Sequence, residues 1–171
     1  VIGTHQVTVE LEGYMSQTSK VTIKKGKDSS VNFTLDRCGN LSSEGSANCY
    51  MISSSGNYKF AAVKGNSSVS VGDVSSVSVL WESFGTNVTP KVGDLISSVS
   101  YSNGYITFST PSAYKEGNAL IAAKDAYGNI LWSWHIWFTD MPKGQVYYNN
   151  AGTMMDRNLG ATSASPGSVE S

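Results

Sequence analysis

Between Ile130 and Phe138 the chain reads ILWSWHIWF, which sets three tryptophans and a phenylalanine within nine residues. A run this rich in indole must be buried on at least one side, and its period decides which. Successive side chains of a strand point to opposite faces of the sheet. On that reading Ile130, Trp132, Trp134, Ile136 and Phe138 make one large apolar face, and Leu131, Ser133, His135 and Trp137 a mixed one. The first is a core face, since burying each indole removes roughly 150–250 Å2 from water, worth roughly 4–6 kcal/mol as an upper bound. The second faces a ligand or partner, or is covered by the N-terminal segment or a loop, the plainer alternative.

The same period of two recurs along the chain. QVTVELE at 6–12, KVTI at 20–23 and SVNFTL at 30–35 read as a three-stranded meander, with KKGKDSS supplying turn chemistry between the last two. Strands resume at 48–53, 57–63, 75–81, 95–102, 105–110, 118–126 and 130–138, separated by SSSGN, KGNSS, GTNVTPKVG, SNG, PSAYKEGN and AYGN. SNG and AYGN join alternating segments through residues that tolerate positive φ, so both read as hairpins. The expectation is an all-β chain, an antiparallel immunoglobulin-like β-sandwich preceded by a small partial meander. The expected divisions are 1–35 for the meander, 36–47 for a linker, 48–148 for the sandwich, and 149–171 for a linker leading into a further domain.

Composition narrows the function classes. The 171 residues carry a net charge of −1, so no basic field attracts nucleic acid or an anionic membrane surface. Only 15% of residues are charged, and Ser, Gly, Thr and Asn take their place, as suits exposed sheet faces. No apolar run reaches the roughly 18 residues that span a bilayer, and any export signal or lipid anchor is expected upstream of Val1. Cys38 and Cys49 lie in DRCGNLSSEGSANC; oxidised, they would close a short loop worth about 3 kcal/mol, and the alternative is two free thiols with Cys49 buried in a strand.

The N-terminal spacing resembles the second half of a PEGA domain, a small extracytoplasmic β-module. Gly3, His5, Val7, Val9, Gly13, Tyr14, Val21, Ile23, Gly26, Val31 and Leu35 fall where that pattern places them, although its Pro-Xaa-Gly opening is missing. Further on, ANCYMIS, GNYKF, VKGN, GNALIAAKDAYGNILWSWHIWFTD and MMDRNLGA resemble, in that order, fimbrillin-like and lipoprotein-like multidomain surface proteins of Gram-negative gut anaerobes. That resemblance implies a place on the cell surface or outer membrane and a part in adhesion or fimbrial assembly. It also implies that MMDRNLGA opens a following domain.

Chemistry is sparse in the sequence. His5 and His135 are the only imidazoles, and no nucleophile elbow, metal-binding helix or phosphate loop is present. Asp73, Asp94, Asp125 and Asp140 sit in turn-like contexts where a carboxylate bonds its own backbone. Asp125, Asn129 and Asp140 carry only the outline of a calcium site, without the alternating oxygen ligands of known loops. The chain therefore reads as a non-catalytic surface module with no cofactor or metal, binding a glycan or a host or bacterial surface protein through exposed aromatics. The contact residues expected are Trp81, Tyr101, Tyr105, Tyr127, His135 and Trp137. The rival is an accessory or spacer module of a surface enzyme that degrades polysaccharides.

Overall fold

A computed structural model describes residues 2–84 and 91–164, and among these there is no helix. Strands β1 (Gly3–Val9) and β2 (Gln17–Ile23) pair antiparallel from Gly3↔Ile23 to Val9↔Gln17. One face of this hairpin is a threonine ladder, Thr4 to Thr22 at 3.1 Å and Thr8 to Thr18 at 2.8 Å between hydroxyls. The other carries His5, Val7, Val9, Val21 and Ile23, as the period of two requires.

The expected third strand at 30–35 is not one. Val31, Phe33 and Leu35 remain half-buried between exposed neighbours, but no backbone ladder forms. Two side-chain bonds tie the run to β2 instead, Ser29 Oγ donating to the Thr22 carbonyl and the Gln17 amide to that of Thr34.

Two four-stranded sheets follow. The first runs in the order β4 (Cys49–Ile52), β10 (Ile130–Phe138), β9 (Gly117–Lys124), β6 (Ser76–Ser83), and the second β3 (Cys38–Asn40), β5 (Asn57–Ala61), β8 (Tyr105–Ser109), β7 (Ser98–Ser102). Part of the expected linker is thus the strand β3. Most pairs are antiparallel, but β4–β10 and β3–β5 are parallel, which corrects the purely antiparallel expectation. The cause is the path of the chain. It passes from β3 to β4 in the opposite sheet and back to β5, so β3 and β5 are joined by a crossover instead of a hairpin.

Facing side chains of the two sheets fill the core. Phe60 lies 5.3 Å from Trp134 and 4.9 Å from Tyr50 between ring centroids, and Ile106, Phe108, Ile121, Ile136 and Phe138 complete the layer. Trp134, Ile136 and Phe138 are sealed as their period demands. Ile130 is not. A bulge between Ile130 and Trp132 breaks the register at the strand's start and leaves Ile130 54% exposed. Trp132 is half-buried, its Nε1 donating to Asn48 Oδ1 at 3.0 Å beneath the Lys64 ammonium.

Two devices hold the connections. Asn103 and Gly104 both take positive φ (50° and 80°), giving the two-residue turn that joins β7 to β8. Glu82, 5% exposed, accepts from the amides of Gly93, Leu95 and Ile96 at 3.2, 2.8 and 3.0 Å, pinning the passage from β6 toward β7.

Beyond β10 the chain makes a hairpin, β11 (Gly144–Val146) with β12 (Thr153–Met155), then returns to the first sheet. Among the described residues, then, the MMDRNLGA segment lies against the sandwich. The guanidinium of Arg157 pairs with Asp140 and Asp156 and donates to the Thr139 hydroxyl, and Gly160 and Ala161 accept from Asn118 and Trp137. Residues 156–162 form a strap.

Candidate functional site

Residues in register across a sheet share a face. On the outer side of the first sheet, Trp81, Leu120, His135 and Cys49 form one row, and Ser83, Asn118, Trp137 and Met51 the next. Three of the expected contact residues therefore do converge, but they are not equally available. Trp81 is 44% exposed and His135 is half-buried. Trp137 is 1% exposed, its Nε1 donating to the Ala161 carbonyl at 3.2 Å, so it is withdrawn as a contact residue. The strap's cover removes a large indole surface from water, which favours the closed arrangement.

The other three candidates are scattered. Tyr101 pairs with the core residue Ile106 and so lies at the core-side margin of β7. Tyr127, 91% exposed, stands at the tip of the β9–β10 turn, where Asp125 Oδ1 accepts from the amides of Tyr127 and Asn129 at 2.8 and 2.9 Å. Tyr105 lies on the outer face of the second sheet, opposite Ala61 and Ser102.

Tyr105 lines a cleft. The turn following β1 stands over the outer face of the second sheet and leaves an open cleft of about 590 Å3. Local backbone bonds fix that turn: Gly13, with φ of 79°, accepts from the Cys38 amide at 2.7 Å, and Met15 N donates to the Asp36 carbonyl at 2.8 Å. Leu11 and Tyr14 contribute from the turn, and Lys59, Ser100, Tyr105 and Thr107 from the sheet. The Lys59 ammonium lies 5.4 Å from the centre of the Tyr105 ring, and Glu10 and Glu12 stand at the opposite wall. The result is an aromatic ring among hydroxyls with both signs of charge nearby.

Of the two alternatives for the cysteines, the structure has the free thiols, because β3 and β4 carry Cys38 and Cys49 into different sheets. Burial raises the pKa of Cys38 against the opposing pull of Lys59, and pushes that of Cys49 up to about 11. Cys49 Sγ instead meets His135 Nδ1 at 3.2 Å, while His135 Nε2 meets Asn118 Oδ1 at 2.8 Å. The sequence analysis missed this trio because Cys49 and His135 are joined only by the parallel β4–β10 pairing. Asp125, Asn129 and Asp140 do not converge on a cation: the first two bond each other before β10 and the third pairs with Arg157 after it, roughly 30 Å along the strand. Among the described residues no three His, Cys, Asp or Glu side chains cluster in a way that would hold a metal ion.

The N-terminal hairpin and the run after it form the segment with a counterpart among known families. Residues 2–38 match the PEGA domain. This PEGA-like segment ends at Cys38, the first residue of β3, so it reaches the edge of the second sheet and supplies one wall of the cleft. The PEGA domain is a β-rich module, generally found in extracellular or periplasmic proteins. No curated protein and no solved structure matches the chain. No helix among the described residues is long and apolar enough to cross a membrane.

Proposed function

We propose that the chain is a non-catalytic surface module that binds a glycan in the cleft between its PEGA-like turn and the outer face of the second sheet. The observation that carries this reading is the cleft's chemistry. Tyr105, steadied by Lys59, offers a ring for a sugar to stack on, and Ser100, Thr107 and the turn's polar groups offer hydrogen bonds around it. The PEGA match supports an extracytoplasmic setting, in keeping with a role in adhesion or surface assembly. A net charge of −1 favours a neutral sugar chain over nucleic acid.

The test is a glycan array probed with the whole chain, followed by calorimetry on the best ligand. Saturable binding is expected, falling about tenfold or more in Tyr105→Ala, in line with roughly 1.5 kcal/mol for an aromatic contact, and unchanged in Tyr127→Ala. Absence of any bound glycan, or equal affinity in Tyr105→Ala, would overturn the reading. The non-catalytic part is checked with ester, peptide and glycoside substrates, for which no turnover is expected. Saturable turnover that disappears in His135→Ala would refute it.

A further inference from the structure

The relay on the outer face of the first sheet has a fixed proton order. The Gly160 carbonyl can only accept, so Asn118 Nδ2 donates to it at 2.9 Å and turns Oδ1 toward His135. That oxygen also only accepts, so His135 Nε2 carries the ring proton and Nδ1 presents its lone pair. Cys49 is then the donor, its S–H directed at Nδ1 across 3.2 Å. Burial lowers the pKa of His135, in keeping with a neutral ring. The thiol thus rests against a base held in the correct tautomer by the strap. Cys49 is half-buried, whereas Cys38 is 3% exposed at the floor of the cleft on the other sheet, where its charged neighbour is the Lys59 ammonium and not a base.

We propose that Cys49 is a modification site, a base-assisted thiol that forms mixed disulfides with low-molecular-weight disulfides while Cys38 stays reduced. As Cys49 sulfur bonds to one sulfur of the small disulfide, its proton passes to His135 Nδ1. The original S–S bond breaks with its electron pair on the departing sulfur, and that thiolate takes the proton from His135. One disulfide is consumed and one is formed, so no further oxidant is required. Burial disfavours the free Cys49 thiolate, so the proton is handed to His135 Nδ1 across the 3.2 Å contact as the new S–S bond forms. The neighbouring charged groups are engaged elsewhere: Glu82 binds three amides on the core side of β6, and Arg157 binds Asp140 and Asp156. Lys124 closes the far end of β9, and Tyr50, next along β4, faces the core. The chemistry is independent of the glycan cleft, which lies on the other sheet.

The experiment incubates the folded protein with oxidised glutathione and maps the adduct by peptide mass spectrometry. The expected result is one adduct, on Cys49, formed at a rate that stays level between about pH 7 and 9, where the neutral imidazole is the base. His135→Ala should slow the reaction by about a hundredfold near pH 7 and make its rate climb about tenfold per pH unit, as only thiolate then reacts. Equal modification of Cys38, no adduct on the folded protein, or a His135→Ala rate and slope equal to the parent's would overturn the proposal. Should His135→Ala fail to fold, the parent profile decides alone, and a tenfold rise per unit from about pH 7 rules out the base-assisted route.

Discussion

The two outer faces of the sandwich are finished in opposite ways. Over the first sheet the strap lies against Trp137 and Asn118, and the indole is sealed. Over the second sheet the PEGA-like turn stands off and leaves a cleft above Lys59, Ser100, Tyr105 and Thr107. The difference follows from side-chain chemistry. Indole, Leu120 and Met51 gain from being removed from water, whereas hydroxyls and an ammonium are already well solvated, so little favours closing over them. Recognition is best placed where covering the face brings no gain.

Substituting an aromatic residue on each face gives the largest contrast. Trp137→Ala should lower unfolding stability by about 3–5 kcal/mol in urea titrations, while Tyr105→Ala stays within about 0.5 kcal/mol. Similar losses for the two would mean that the second face is also sealed. Glu82→Ala comes next at about 3 kcal/mol, since it strands the buried amides of Leu95 and Ile96 and the part-buried one of Gly93. A loss below about 1 kcal/mol would show that water replaces the carboxylate there.

Acid should act on the strapped face in a narrower way. The Arg157 guanidinium holds the carboxyls of Asp140 and Asp156 below the usual range. Their contribution is therefore present above the unfolded value of about 3.9 and is lost as pH falls through the lower folded values. Hydrogen exchange at 156–162 should quicken below about pH 4 while β10 stays protected, and Arg157→Ala should show the fast exchange already at neutral pH. Simultaneous loosening of strap and β10 would mean they are one cooperative unit. The smallest expected effect is at the cleft's rim. Asn103→Ala forces alanine to a φ of 50° and should destabilise by about 1 kcal/mol, with Asn103→Gly close to neutral.

Much of the scaffold was legible in the sequence. Alternation placed β1, β2 and all the strands from β4 to β10, and it chose the core side of the indole strand from Trp134 to Phe138. It failed at 30–35, which forms no ladder and is tied to β2 by side-chain bonds such as Gln17 to the Thr34 carbonyl, and at Ile130, where a bulge breaks the count. β3, β11 and β12 are three residues each, too short for a period to show. The site was less legible because contacts across sheets decide it. The sequence leaves Trp137 between a contact residue and one covered by a loop, which only the strap decides, and nothing local in DRCGNLSSEGSANC shows that Cys38 and Cys49 enter different sheets.

The parallel pairing of β4 with β10 also sets a timetable. Cys49 and its partner His135 are 86 positions apart, so at the usual synthesis rate of roughly 5–20 residues per second the thiol waits about 4–17 s for its imidazole. During that interval β4 is an unpaired ribbon and Cys49 an unaccompanied sulfhydryl. The nascent chain is thus most open to wrong partners before its tryptophan-rich strand has been translated.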